Sequence, residues 1–280
     1  MSELRVAYQG ERGAFSESAA RWLLGEAAAL PCASFEEMFD AVRTGQADCC
    51  VAPIENSLAG SIHRNYDLLL DSRLAIFGET NLRIVHHLLG VRGMAAGDVR
   101  RVYSHPVALA QCDRFLRARP RIEAVPVHDT AGAVRMVMER GSCDEAAIAS
   151  GRAGALYGAA TLAAGIEDHA QNFTRFFLAG PADAELRPRF DAPPRRWKTS
   201  LLLRVANKPG ALFRALGAFA LREIDLAKIE SRPIEGRPWE YGFYVDAVGN
   251  AADEPLAGAL ETLRGCADLV RVLGTYPTRW

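Results

Sequence analysis

Three strand patterns alternate with two helix patterns in residues 101–150, RVYSHPVALAQCDRFLRARPRIEAVPVHDTAGAVRMVMERGSCDEAAIAS. The strand-like runs are 101–104, 122–125 and 146–150, and the helical segments begin at Pro106 and Asp129. Strands that alternate with helices are typical of parallel β-α-β units. This stretch therefore predicts an α/β lobe.

The N-terminal part of the chain repeats this alternation. Ser34 and Glu37 form a capping box, which is typical of a helix start. In chain order the patterns predict a strand at 4–8, a helix at 15–24 after the turn at 10–13, a helix ending near Gly45, and a strand at 48–52 stopped by Pro53. This region predicts a second α/β lobe.

Strand-like segments connect the two sets. Residues 74–91 are mostly strand-like and lie between them, and 176–178 add one more apolar strand. We therefore expect two α/β lobes joined by crossing strands, with a cleft between them.

A polar, proline-rich passage follows the lobes. It contains Pro181, Pro188, Pro193, Pro194 and Arg195, and it predicts a linker. Behind it the patterns run strand 199–205, helix 209–221, strand 224–230, strand 241–248, helix 252–264 and strand 269–275. This β-α-β-β-α-β order is the ferredoxin-like arrangement. The predicted organisation is a catalytic region at 1–182, a linker at 183–198 and a small regulatory domain at 199–280.

Composition excludes several classes of protein. The 280 residues carry a formal net charge of −1, so no overall field attracts nucleic acid or an anionic membrane. No secretory signal or membrane-spanning run is apparent, which predicts a cytoplasmic protein. The six cysteines include no C-x-x-C pair, and adjacent Cys49 and Cys50 would point to opposite faces of a strand. We therefore expect reduced cysteines and no metal site.

Several polar motifs follow predicted strands, at the point where the next helix begins. They lie at residues 10–16, 53–57, 104–106 and 129–132. Ligands bind outside the carboxyl ends of strands in open parallel sheets, and helix N-termini favour anions there. Four such turns facing one cleft would suit a small, multiply anionic ligand. The plainer interpretation is that Ser16, Ser104 and Asp129 are ordinary N-caps.

The segment Asn172-Phe173-Thr174-Arg175-Phe176 places a hydroxyl beside a guanidinium at the entrance to an apolar strand. An arginine can bind a carboxylate through two parallel hydrogen bonds. A strand-end threonine beside a solvent-exposed arginine is the alternative interpretation.

Thr174-Arg175-Phe176 resembles the Thr-Arg-Phe motif of the prephenate dehydratase family. The blocks at 53–57, 104–106, 108–112 and 146–150 match further family motifs in the same order. Behind the linker, 207–212 and 228–233 resemble the two effector-binding motifs of that family's ACT domain. The resemblance covers nearly the whole chain.

The resemblance implies a fold, a reaction and a mode of regulation. The lobes would resemble those of type II periplasmic-binding proteins, with a ferredoxin-like ACT domain behind them. The family removes water and carbon dioxide from prephenate to give phenylpyruvate, without metal or cofactor, and some members use arogenate instead. The ACT domain binds phenylalanine, usually as an inhibitor, within a homodimer or homotetramer.

The resemblance also implies roles for individual residues. Thr174 would contact or protonate the departing hydroxyl, Glu55 is the other candidate acid, and Arg175 would bind a substrate carboxylate. Phe176 is more readily explained by packing. Hydrogen bonds to substrate would come from Ser16, Asn56, Ser57, Ser104, Gln111 and Thr130. The effector site would comprise Asn207, Pro209, Gly210, Ala211, Leu212, Glu230, Ser231 and Arg232.

Three departures from the commonest family pattern concern substrate choice. Position 14 is alanine where many relatives have threonine, residues 129–132 look closer to members that include arogenate users, and His63 and Arg64 replace the usual polar residues. An arogenate dehydratase is therefore one alternative. A non-catalytic amino-acid sensor, or a solute-binding protein, is an alternative of another class.

Overall fold

The computed structural model describes residues 3–189, 196–234 and 236–278. They form two compact units, one made of Met1–Arg73 and Thr80–Pro181 and the other of Leu74–Glu79 and Ala182–Trp280. The boundaries expected from the sequence stay predictions. Pro193, Pro194 and Arg195 of the expected linker lie outside the described residues.

Helices and strands alternate through the first unit. In chain order they are β1 (Arg5–Gln9), α1 (Phe15–Leu24), β2 (Ala28–Cys32), α2 (Phe35–Arg43), β3 (Cys49–Asn56), β4 (Gly60–Ser61), α3 (His63–Ser72), β5 (Ala75–Arg83), β6 (His87–Gly90), β7 (Arg101–Ser104), α4 (Pro106–Gln111), α5 (Asp113–Arg117), β8 (Glu123–Pro126), α6 (Thr130–Arg140), β9 (Glu145–Ala149), α7 (Gly151–Tyr157), β10 (Ala160–Ala163) and β11 (Phe173–Gly180). Strand β5 belongs to this unit from Thr80 onward.

Two sheets build two α/β lobes. The first has the order β2-β1-β3-β11-β5, with β4 paired to β3, and the second has the order β10-β6-β9-β7-β8. The chain passes from the first sheet to the second between β5 and β6, and it returns between β10 and β11. The predicted pair of lobes with crossing strands is confirmed.

The sheets are mixed rather than purely parallel. Strand β1 is parallel to β2 and β3, and β7 is parallel to β8 and β9. The connecting strands β11, β6 and β10 run antiparallel to their neighbours. Crossing from one lobe to the other reverses the direction of the chain, which a pattern of apolar residues does not reveal.

Pro53 does not stop β3, and that prediction was wrong. The strand continues to Asn56, while its pairing with β1 ends at Val51. On the other side, the register with β11 shifts between Arg175 and Phe176, which leaves Ile54 as an extra residue. Proline is tolerated at such a bulge because no ladder hydrogen bond is required from its nitrogen.

The start of α2 departs slightly from the predicted capping box. The Ser34 hydroxyl accepts from the Glu37 N–H at 3.1 Å, as expected. The Glu37 carboxylate, however, accepts from the Ala33 N–H at 2.7 Å rather than from that of Ser34. Both bonds still satisfy backbone donors at this end of the helix.

The second unit has the predicted ferredoxin-like order. Its elements are β12 (Arg196–Arg204), α8 (Ala211–Ala220), β13 (Leu226–Ile234), β14 (Arg237–Val248), α9 (Glu254–Cys266) and β15 (Leu269–Thr278). The sheet order is β13-β14-β12-β15, and Leu201, Leu203, Phe219 and Leu260 are buried in its core. Strand β13 extends beyond the predicted end at residue 230, so residues 230–233 lie near its carboxyl end.

The helices of the described residues are too short or too polar to cross a membrane.

Candidate active site

A cavity of about 660 Å³ opens between the two lobes of the first unit. Both sheets contribute to its wall, mainly through the ends of strands and the starts of helices. Five of the predicted substrate or catalytic residues line it, namely Ser16, Asn56, Gln111, Thr130 and Thr174. Ala14, His86, His105, His128 and Asp129 line it as well.

Asn56 and Thr174 form a cross-strand pair on this wall. They lie directly opposite each other in the β3–β11 pairing, and the Asn56 Nδ2 donates to the Thr174 Oγ1 at 3.0 Å. Because the threonine oxygen accepts this bond, its own proton is free to be donated into the cavity. Thr174 is the second residue of β11, at the entrance of the strand as predicted.

Glu55 and Arg175 occupy the opposite face of the same strand pair. They are also direct cross-strand partners, and successive side chains of a strand point to opposite faces. The Arg175 guanidinium lies 4.7 Å from the centre of the Phe177 ring, and neither Glu55 nor Arg175 lines the cavity. The predicted roles of Arg175 as a carboxylate ligand and of Glu55 as the acid stay predictions.

A chain of amides extends from Thr174 through the wall. The Asn56 Nδ2 also donates to the Asn172 Oδ1 at 2.8 Å, and the Asn172 Nδ2 donates to the Gln111 Oε1 at 3.0 Å. The Gln111 Nε2 donates back to the Asn56 Oδ1 at 3.4 Å. The three amides thus fix one another's orientation behind the Thr174 hydroxyl.

His86 ends this network. Its Nε2 lies 2.9 Å from the Gln111 Oε1, which can only accept, so the Nε2 carries the proton. The Nδ1 is buried without a partner, and burial lowers the pKa of this histidine below 6.5. His86 is therefore neutral at neutral pH and present as a single tautomer, with the Phe15 ring packed edge-on at 5.6 Å.

Sequence analysis missed His86 and Asn172 as members of the site. No sequence motif links His86 to its partner Gln111, which lies 25 positions further along the chain. Asn172 stands two residues before Thr174, so a search for amides near the Thr-Arg-Phe motif would have found it.

Helix starts surround the cavity. Ala14, Phe15 and Ser16 begin α1, and Ile62 precedes α3. The N-caps of both helices, Ala14 and Ile62, make no side-chain capping bond. Their first turns can therefore present backbone N–H groups to an anionic ligand. Ser16 lies inside α1 rather than at its cap.

The ionisable groups of the wall are unusual for a site that would receive a dianion. Among the described residues that line it there is no lysine or arginine, and the two carboxylates are Glu36 and Asp129. Glu36 forms an ion pair with Arg64 at 2.7 Å. Asp129 caps α6, accepting from the Gly132 N–H at 2.6 Å.

Two predicted substrate residues have structural partners away from the cavity. The buried Ser104 hydroxyl donates to the Ile148 carbonyl at 2.6 Å, which joins β7 to β9. The Ser57 hydroxyl donates to the Gln171 carbonyl at 3.1 Å and accepts from the Phe173 N–H at 3.0 Å. Both hydroxyls hold the strands that carry the lining residues.

Within residues 3–189, 196–234 and 236–278, no group of three or more His, Cys, Asp or Glu side chains is arranged to hold an ion.

The predicted effector motif at 207–212 lies at the start of α8 in the second unit. Gly210 caps the helix with φ +77°, a conformation that favours glycine, and Leu212 is half-buried. The Asn207 Nδ2 donates to the Trp239 carbonyl at 3.2 Å. In the second motif Glu230 forms an ion pair with Lys228 at 3.2 Å.

Comparison with known proteins matches both parts of the chain. Residues 6–184 match the prephenate dehydratase family, and residues 199–265 match the ACT domain. The chain belongs to the prephenate dehydratase family. This dehydratase is an enzyme of the lyase class with a C-terminal ACT domain, as the sequence predicted.

Curated relatives of this dehydratase include plant enzymes. It is 44% identical over 285 residues to an arogenate dehydratase/prephenate dehydratase 2, chloroplastic, of Arabidopsis thaliana, covering 99% of this chain and 73% of the relative. It is also 44% identical to arogenate dehydratase 2 of Petunia hybrida, covering 99% of this chain and 72% of that protein.

Two solved structures resemble this dehydratase over nearly its whole length. The prephenate dehydratase of Arthrobacter aurescens in complex with L-Phe is 30% identical with a TM-score of 0.85, covering 99% of this chain and 90% of the other. A chain described as GqqA, a novel type of quorum-quenching acylase, is 37% identical with a TM-score of 0.86, covering 98% of each chain.

Proposed function

We propose that this dehydratase converts prephenate to phenylpyruvate, carbon dioxide and water in the cavity between its two lobes, and that phenylalanine regulates it through the ACT domain. The observation that carries the proposal is the Asn56–Thr174 pair, which presents a hydroxyl with a free proton to a cavity bordered by uncapped helix starts.

The chemistry requires a proton donor more than it requires a nucleophile. As the bond between the ring and its carboxylate breaks, the electron pair moves through the diene and expels the hydroxyl at C4. That hydroxyl must gain a proton to leave as water. Thr174 is the group we assign to this oxygen, either as hydrogen-bond donor or as relay. The starts of helices α1 and α3 would receive the carboxylates.

Arogenate is the second candidate substrate. It undergoes the same bond changes but carries an ammonium group in place of the side-chain ketone. Relatives named arogenate dehydratase support this alternative. Conversion of both substrates is compatible with one arrangement of Thr174 and Asn56.

The test is to incubate the purified protein with prephenate and, separately, with arogenate at neutral pH, each with and without phenylalanine. Enzyme-free controls are essential because both compounds aromatise spontaneously in acid. We expect aromatic product from at least one substrate and suppression by phenylalanine. If neither substrate turns over while phenylalanine still binds, the chain is a sensor and the catalytic proposal fails.

Substitution of Thr174 tests the assigned donor. Thr174→Ala removes the hydroxyl, so we expect kcat to fall about 100-fold or more, with substrate binding and folding largely retained. Thr174→Ser keeps a hydroxyl and is expected to retain most of the activity. An unchanged kcat in Thr174→Ala would remove this residue from the mechanism.

GqqA's description as a quorum-quenching acylase suggests a further assay for the same preparation. A hydrolytic acylase needs an activated nucleophile or water. Thr174 instead accepts a bond from the Asn56 amide, which does not activate it as a base would. We therefore expect no Thr174-dependent hydrolysis of acylated amines, and such hydrolysis would replace the proposed function.

We also propose self-association through the ACT domain. Phe213, Leu221 and Trp239 of the second unit are 80%, 86% and 79% exposed, which is unusual for such large apolar side chains. Light scattering at several protein concentrations should therefore give a mass above that of one 30.5 kDa chain.

A further inference from the structure

We infer that Asp129 selects between the two substrates by binding the ammonium group of arogenate. This inference rests on the proposed function, and it assigns to one side chain the substrate choice that the proposal leaves open.

Charge compensation distinguishes Asp129 from the other carboxylate on the wall. Glu36 is exposed and is neutralised by the Arg64 guanidinium at 2.7 Å. Asp129 is half-buried, and its Oδ1 accepts from the Gly132 N–H. Within the described residues no donor reaches its Oδ2. One carboxylate oxygen of this cavity-lining residue is thus left without a donor among the described residues.

Within the described residues Asp129 forms no ion pair, and the ionisable groups around it have other partners. His105 accepts from the Val107 N–H through Nδ1 at 3.2 Å, and burial lowers its pKa, so it is neutral at neutral pH. His128 directs its Nε2 to the Ala33 carbonyl at 3.1 Å. Glu11, whose carboxylate also lies beside Gly132, accepts from the Nε and one Nη of Arg135, each at 2.7 Å.

Gly132 supplies the space that the Asp129 carboxylate occupies. A Cβ at position 132 would lie 2.9 Å from the Asp129 Oδ2 and 3.2 Å from the Glu11 Oε1. Any side chain there would push the carboxylate from its present place.

Prephenate and arogenate differ in the side-chain group on which we expect the Asp129 charge to act. Prephenate carries two negative charges and a ketone, which can only accept hydrogen bonds. Arogenate carries an ammonium group, whose three donors require acceptors. Both compounds keep two carboxylates, so the side-chain group decides: a carboxylate oxygen without a donor can accept from the ammonium of arogenate but repels the ketone oxygen of prephenate.

Asp129→Asn isolates the charge, because asparagine caps a helix about as well as aspartate and the fold should be retained. We expect kcat/KM for arogenate to fall about 10- to 100-fold, as for loss of a hydrogen bond to a charged group. The value for prephenate should be unchanged or higher. Glu36→Gln is the matched control, and it should leave the ratio of the two values within about twofold.

The outcomes separate this inference from the proposed function. If the wild-type protein uses neither substrate, the proposed function fails. If it uses prephenate but not arogenate, or if Asp129→Asn lowers both kcat/KM values by the same factor, the function stands and the role of Asp129 is wrong. A shift confined to arogenate, absent in Glu36→Gln, would establish it.

Discussion

The orientation of the Thr174 hydroxyl depends on a chain of hydrogen-bonded side chains. The Thr174 hydroxyl is oriented by Asn56, and Asn56 is oriented by Asn172 and Gln111. His86 fixes the outer end of this chain because its Nε2–H donates to the Gln111 Oε1. A residue that never contacts substrate can therefore control the geometry of the one that does.

Substitution of His86 should reveal this control. His86→Leu removes the donor to Gln111, and we expect kcat to fall about 10-fold or more with a much smaller change in KM. His86→Gln can place an Nε2 donor near the same position and should recover a large part of kcat. Steady-state kinetics on both variants gives the result. Equal losses in the two variants would indicate a packing role instead.

Family motifs in the sequence predicted part of this site, but they did not show which motif residues line the cavity. Thr174, Asn56 and Gln111 were predicted from family motifs, and all three line the cavity. Arg175 belongs to the same motif as Thr174, but alternation along β11 turns it to the opposite face. A motif shows which residues occur together, whereas the pleat and register of the strands determine which of them reach the ligand.

Helices and strands were predicted best where the sequence carries a strong periodic pattern. Helix α1 occupies the predicted residues 15–24, and β7 occupies 101–104. Helix α7 and strand β10 were not predicted, since both are short and neither has a strong periodic pattern. The continuation of β3 through Pro53 depends on a bulge against β11, more than 100 residues away.

The start of α1 shows how one element holds another in the first unit. Glu17 is 1% exposed and accepts from the Gly13 N–H at 2.5 Å, from Arg21 at 3.1 Å and from Arg152 of α7 at 3.0 Å. Burial alone would raise the pKa of this carboxyl, but the three donors outweigh burial and lower it below 4.5. Glu17 thus ties α1 to the other lobe while it remains charged.

A pH-dependent stability follows from Glu17. Because the pKa is lower in the folded protein, the stabilisation is present above the ordinary pKa and is lost as the pH falls through the folded value. Glu17→Gln should reduce the free energy of unfolding by about 2 kcal/mol at pH 7, a value below that of fully buried pairs since both arginines are partly exposed. Urea unfolding should show this difference shrinking toward pH 3. Glu26→Gln, at a carboxylate 92% exposed, is the control and should change little.

At the scale of the whole molecule, the two units are interlaced along the chain. Leu74–Glu79 belongs to the second unit although it lies within the first half of the sequence. In that unit the Glu79 carboxylate accepts from the Lys198 Nζ at 2.8 Å and from the Thr278 hydroxyl at 2.5 Å. Glu79 is 3% exposed and Lys198 is 7% exposed, so this ion pair is buried. No local pattern in residues 74–91 could have shown which part of the chain they join.

A double substitution should show how the second unit depends on this early segment. Lys198→Met leaves the Glu79 charge buried without its cation, and we expect it to cost about 3 kcal/mol of unfolding free energy. Glu79→Leu combined with Lys198→Met replaces both charges by apolar groups, so the pair should recover most of that loss. Urea unfolding of the full-length single and double variants measures the coupling. Losses that simply add would mean that the two charges are not coupled, and the buried pair would not link residues 74–79 to the second unit.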